Sequence, residues 1–152
     1  MNAKINKLHY RALRIVYRDN TSSFEELLQK NRTVTVHHRN LQLIAIEMFK
    51  VKKGLAPSFM ANIFCDNINR NSENVSANTR SKSRFYNPSN PRTTKYGIES
   101  LRHLGPKIWE MLPSETQNAN SVATFKMKIK NWKPTVCPCR LCLKFVPNLG
   151  YI

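Results

Sequence analysis

The sequence predicts a mainly α-helical fold, a small helical domain with a long irregular basic loop and a cysteine-rich C-terminal tail. Two observations carry that expectation. Apolar residues recur every three or four positions in separate stretches before residue 66 and after residue 95, which is the period of a helix buried on one face. Between them, residues 66–94 are rich in Asn, Ser and Arg and hold too few apolar side chains to fold alone.

The chain of 152 residues is long enough for one domain with a modest core. It divides into a helical region 1–65, a flexible basic linker or insert 66–95, a second helical part 96–133 that packs on the first, and a Cys-containing tail 134–152.

Residues 4–18 read as a helix, with Ile5, Leu8, Ala12 and Ile15 on one face and Lys4, Lys7, Arg11, Arg14 and Arg18 on a neighbouring one. Those cations fit either a solvated surface or a stripe that tracks phosphates. The first 18 residues are basic, amphipathic and free of acids, as in a mitochondrial transit peptide, but they hold no secretory hydrophobic core and the resemblance given below explains them better. Ser23 and Glu26 stand at capping-box spacing before Leu27 and Leu28, which begins a short second helix.

From Val36 to Lys53 the helical period returns, with Leu41, Ile44, Met48 and Val51 on one face, Ala45 and Phe49 widening it, and Gly54 as a stop. His37 and His38 fall in the first turn, where uncharged, solvent-exposed imidazoles are expected ahead of metal ligation. Pro57, in a first turn, introduces a short apolar helix through Phe59, Met60, Ile63 and Phe64, closed by Cys65 as a core-side thiol.

Arg80, Lys82 and Arg84 alternate with Ser and meet Phe85 and Tyr86, a pattern that suits a linker or an arm on which bases stack beside cations. Ile98, Leu101 and Leu104 fit a short strand or a helical turn broken by Gly105-Pro106. Ile108, Trp109 and Leu112 then fill a short helix before Pro113. Ser121 is the expected N-cap of the last helix, which places Val122, Phe125, Ile129 and Trp132 on one face and Lys126, Lys128, Lys130 and Lys133 around the rest.

Charge narrows the function classes. Lys and Arg number 25 against 9 Asp and Glu, a formal charge of +16 with no acid after Glu115. Such a field attracts polyanions, nucleic acid foremost and anionic membrane second. The longest apolar run, Leu43 to Ile46, is far below the roughly twenty residues of a membrane span, so no membrane crossing is expected. Two-metal phosphoryl transfer needs neighbouring carboxylates, and the only aspartates are Asp19 and Asp66, in unrelated segments. Gly-rich phosphate loops, nucleophile elbows and His-Glu-x-x-His are absent as well, so a self-contained enzyme is not expected.

Cys137, Cys139 and Cys142 are the one metal-like constellation, since C-x-C-x-x-C spacing can aim three thiolates at a single zinc ion. The fourth ligand would come from Cys65, His103, His37, His38 or His9; otherwise the tail carries free thiols. This cysteine usage suits a reducing compartment better than a disulfide framework.

Taken in order, these phrases resemble the segment after the polymerase domain in non-LTR, LINE-type retrotransposon reverse transcriptases of the jockey-like and related groups. The resemblance runs through Leu8-His9-Tyr10-Arg11-Ala12-Leu13-Arg14-Ile15-Val16-Tyr17, Ser22-Ser23-Phe24-Glu25-Glu26-Leu27-Leu28 and Ala45-Ile46-Glu47-Met48-Phe49-Lys50 with Gly54-Leu55-Ala56-Pro57. It continues through Arg92-Thr93-Thr94-Lys95-Tyr96-Gly97, Leu104-Gly105-Pro106-Lys107-Ile108-Trp109 with Leu112-Pro113, Phe125-Lys126 to Trp132, and the cysteine cluster.

The resemblance implies a piece of an RNA-directed DNA polymerase whose catalytic residues lie outside this chain, acting in the nucleus or cytoplasm. Its role would be an accessory grip on RNA or DNA through Lys4, Lys7, Arg11, Arg14, Arg18, Arg80, Lys82, Arg84, Lys126 and Lys130. Two alternatives stand beside it. One is a scaffold that packs on the polymerase body. The other is a truncated element copy without function, suggested by a start inside the family segment.

Overall fold

The computed structural model describes residues 2–65, 86, 92–93, 97 and 100–134, the side chains of residues 2 and 3 excepted. Among them are α1 (Asn2–Tyr17), α2 (Phe24–Lys30), α3 (Val36–Lys52), α4 (Ser58–Phe64), α5 (Leu101–Glu110), α6 (Ser114–Gln117) and α7 (Val122–Ile129), and no β-strand. The mainly helical expectation holds. Arg80, Lys82, Arg84, Cys137, Cys139 and Cys142, and with them the basic loop and the cysteine tail, lie outside the described residues.

Local chemistry sets the helix ends. Ser23 and Glu26 form the expected reciprocal capping box on α2, Thr35 caps α3 through the His38 amide, and Ser121 caps α7 through the Thr124 amide. Pro57 sits at the N-cap of α4, one position before the first turn. Three helices end alike. The amides of Asp19, Thr33 and Leu55 reach back to the carbonyls of Arg14, Leu28 and Lys50, with Arg18, Arg32 and Gly54 at positive φ. Gly adopts that left-handed turn freely, whereas an arginine there carries a steric cost of about 1 kcal/mol.

The principal core is built on α3. Leu41, Ala45, Ile46, Met48, Phe49 and Val51 pack with Phe64 of α4, Ile108 and Trp109 of α5, and Phe125 and Ile129 of α7. Phe49 stacks on Phe125 at 4.4 Å between centroids, and Trp109 lies 6.2 Å from Phe125 on a nearly parallel plane. A smaller cluster joins α1 to α2 through Leu13, Leu27 and Leu28, flanked by Tyr10, Tyr17 and Phe24.

Four details differ from the sequence reading. On α1 the face turned inward carries Tyr10, Leu13 and Tyr17, while Leu8 and Ile15 of the expected apolar face are 64% and 77% exposed. α2 is short, so α1 gains more by seating two aromatic rings and one leucine there than by following its aliphatic stripe.

Secondly, Tyr86 belongs to the core. It is 3% exposed, packs edge-on to Phe64 and Trp109, and its hydroxyl donates to the Met48 carbonyl at 2.7 Å. Burial raises its phenol pKa, partly opposed by the Lys52 backbone amide. It is thus unavailable for base stacking.

Thirdly, Gly105-Pro106 does not break the helix: α5 runs through both residues. A proline clashes with the Cβ of the residue before it, and glycine has none. Gly105 also lets α5 approach α3 and α4 closely, since a Cβ there would stand 2.8 Å from Met48 Sδ and 2.9 Å from Phe64 Cε1.

Lastly, α6 was not foreshadowed. It lets Gln117 donate to the carbonyls of Trp109 and Leu112, which closes the end of α5.

Candidate nucleic-acid interface

The cations of α1 divide into two groups. Lys4, Lys7 and Arg11 are exposed, and α1 contains no acidic residue to neutralise them; Arg18, expected on the same helix, is exposed in the left-handed turn just after it. Arg14 is held back: its guanidinium donates to the Asn20 carbonyl and to Asn20 Oδ1, and lies 5.5 Å from the Tyr10 ring centroid. Arg14 therefore ties the end of α1 to the turn that follows.

That turn uses Asp19. Its carboxylate accepts from the amides of Ser22 and Thr21 and from both hydroxyls, and lies 3.7 Å from Lys30 Nζ. The Ser22 contacts, then those of Thr21, hold its pKa far below the usual carboxylate range. Asp19 is accordingly a turn-forming group.

On α7, Lys126 and Lys130 are exposed, whereas Lys128 donates to the Glu115 carbonyl at 2.8 Å. Lys130 is brought beside the turn between α2 and α3, because Gln42 draws in the chain after α7. Gln42 is fully buried, and its side-chain amide donates to the carbonyls of Lys130 at 3.1 Å and Trp132 at 2.9 Å.

Arg32 comes into that neighbourhood without a sequence signal. In Lys30-Asn31-Arg32-Thr33 it resembles any solvated turn. Only the docking of residues 130–133 gives it company.

His37 and His38 are half-buried, not fully exposed as expected, and their rings lie 5.9 Å apart. His38 Nδ1 pairs with Thr35 Oγ1 at 3.1 Å. Burial lowers the pKa of both, and for His38 the charges of His37 and Lys133 add to the effect. Both imidazoles are uncharged at neutral pH.

No three His, Cys, Asp or Glu side chains gather as a metal site among the described residues. His103, a candidate fourth ligand, is buried within α5, and Cys65 is half-buried at the end of α4. No helix among the described residues is long and apolar enough to cross a membrane.

No protein-family model, curated protein or solved structure matches this chain.

Proposed function

We propose that this chain is an accessory nucleic-acid-binding segment of a LINE-type retrotransposon RNA-directed DNA polymerase, the part that follows the catalytic domain, and performs no catalysis itself. The observation that carries the reading is α1, where Lys4, Lys7 and Arg11 are exposed on a helix free of acids, with Arg18 exposed just after it, in a chain of net charge +16. Phosphates of RNA or DNA are the complementary partner, and their counterion release makes the binding strongly salt-dependent. Lys126 of α7 and Lys130 at its C-terminal end extend the cationic surface, with Arg80, Lys82 and Arg84 as its arm.

Fluorescence anisotropy with labelled single-stranded RNA, duplex RNA and duplex DNA at a series of salt concentrations tests it. Binding that weakens steeply with salt, and further when Lys7 and Arg11 become Ala, is the expected result. A helical protein that binds none of the three nucleic acids sinks the reading.

A second reading has its own support. Leu8, Ile15 and Val16 of α1 are 64%, 77% and 72% exposed, as expected of a helix that packs against a body outside this chain, here the polymerase domain. Its mark would be aggregation of the isolated chain, relieved by adding the parent domain.

Zinc at Cys137, Cys139 and Cys142 belongs to the same proposal as a stabilised tip of the tail. Metal analysis of the purified chain tests it, since Cys139→Ser must then lower the zinc content.

A further inference from the structure

An open groove of about 470 Å³ separates the α2–α3 turn from the chain that leaves α7. Leu28 and Val34, both buried, form an apolar part of its wall. The rest is polar: Gln29, Arg32 and Thr33 on one side, Lys130, Asn131 and Lys133 on the other.

Its charge is one-sided. Among the described residues no acid lines the groove, and Arg32, Lys130 and Lys133 have no ion-pair partner. Three cations elsewhere are engaged within the protein: Lys30 faces Asp19, Lys50 pairs with Glu47 at 2.7 Å, and Lys52 lies over Trp109.

The groove is rigidly founded on one side. Gln42 fixes the carbonyls of Lys130 and Trp132, which sets the backbone that carries Lys130, Asn131 and Lys133. On the other side Arg32 occupies a left-handed position at the end of α2, where glycine fits without strain, as Gly54 does after α3. Arginine there, as at Arg18 after α1, carries a guanidinium where glycine would carry none.

We propose that this groove is a phosphate-binding site, in which Arg32, Lys130 and Lys133 hold a backbone phosphate of single-stranded nucleic acid. The inference rests on the nucleic-acid reading above and gives it a specific seat. Arginine provides forked donors for phosphate oxygens, and the lysines add point charges. The wall of Leu28 and Val34 takes the adjoining sugar or base, and Gln29 and Asn131 supply hydrogen bonds. A single strand can bring a phosphate and an unpaired neighbouring base into the site together, whereas a duplex keeps its bases paired and stacked.

The test uses the full chain, a labelled single-stranded RNA of about 12 nucleotides, and a salt series. Arg32→Gly is the decisive variant, because it removes the guanidinium and relieves the backbone, so weaker binding with a melting temperature no lower than wild type is not misfolding. Combined with Lys130→Gln and Lys133→Gln, it is expected to reduce the slope of log K against log salt by about 2, the value for three lost contacts to a single strand. Lys4→Gln, Lys7→Gln and Arg11→Gln serve as the parallel α1 variant.

A groove variant with wild-type slope and affinity, beside an α1 variant that binds less, overturns the groove and leaves the wider reading standing. A wild-type chain that binds no oligonucleotide overturns both. Inorganic phosphate is the competitor that separates sources: displacement of the RNA by free phosphate at matched phosphate concentration would assign the groove to a small anion and overturn the proposal. Resistance to that competitor supports it.

Discussion

The side-chain amide of Gln42 donates to the carbonyl of Trp132 at 2.9 Å, joining two residues ninety positions apart in the buried seam between α3 and the end of α7. The same nitrogen also serves the Lys130 carbonyl at 3.1 Å, and the Gln42 oxygen accepts from Arg39. Every polar atom of this fully buried side chain is thereby occupied.

Gln42→Leu keeps the volume and removes the donors. It leaves two carbonyls without that partner, at a cost of about 2–4 kcal/mol. Urea denaturation followed by circular dichroism measures it. A midpoint equal to wild type would mean that water serves those carbonyls as well as Gln42 does.

Tyr86 makes the corresponding link from the other side of α3. Tyr86→Phe loses only the hydroxyl that donates to Met48 and is expected to cost about 1 kcal/mol. Tyr86→Ala also empties a space lined by Phe64 and Trp109, so a loss of about 3–5 kcal/mol is expected. Equal stabilities for the two variants would contradict the core position of the ring.

The ease of reading the sequence followed the scale of the interactions. Signals contained within one or two turns were visible: the Ser23–Glu26 box, Ser121 as a cap, and the face of α3 through Leu41, Met48 and Val51. Decisions made by distant partners were not. Which face of α1 turns inward depends on Phe24, Leu27 and Leu28 of α2. Tyr86 stands in a polar stretch whose composition says linker, and its burial is fixed by Met48, 38 positions away. For the candidate interface, Lys4, Lys7 and Arg11 could be named from spacing, but Arg32 gained meaning only when Gln42 drew residues 130–133 beside it.

Acid should unfold the chain in two stages. Asp19 has its pKa depressed, so its stabilisation is present above its ordinary value of 3.8 and is lost as the pH falls below that. His37 and His38 are depressed from 6.5, so protonation favours the unfolded chain, and their loss begins as the pH falls below 6.5. Asp19→Asn should lower stability at pH 7 and flatten the change below pH 4, while leaving the earlier loss in place. Thermal melts between pH 7 and pH 2 check this. An unchanged low-pH limb would show that the Asp19 turn opens at no cost to the fold.

The exposed stripe on α1 predicts a silence in stability. Leu8→Gln, Ile15→Gln and Val16→Gln remove side chains that are already mostly in water, so each should change folding free energy by no more than about 0.5 kcal/mol. Leu13→Gln, one turn from Tyr10 and Tyr17 and 5% exposed, should cost several times more. Equal losses at Ile15 and Leu13 would place α1 in the opposite rotation.

Gly105 sets a tight packing limit. Alanine has the higher helix propensity, worth about 1 kcal/mol in an open helix, and would also restore the clash with the ring of Pro106. Against that gain, the new methyl would lie 2.8 Å from Met48 Sδ and 2.9 Å from Phe64 Cε1. Separating α5 from α3 and α4 by the needed fraction of an ångström disturbs the contacts around Phe64 and Trp109, and overpacking of this kind costs about 1–3 kcal/mol. Gly105→Ala is therefore expected to destabilise, and Phe64→Leu in the same chain to recover part of the loss, because it withdraws the nearest rigid ring. A Gly105→Ala protein more stable than wild type would mean that propensity, not the approach of α5 to Met48, governs this position.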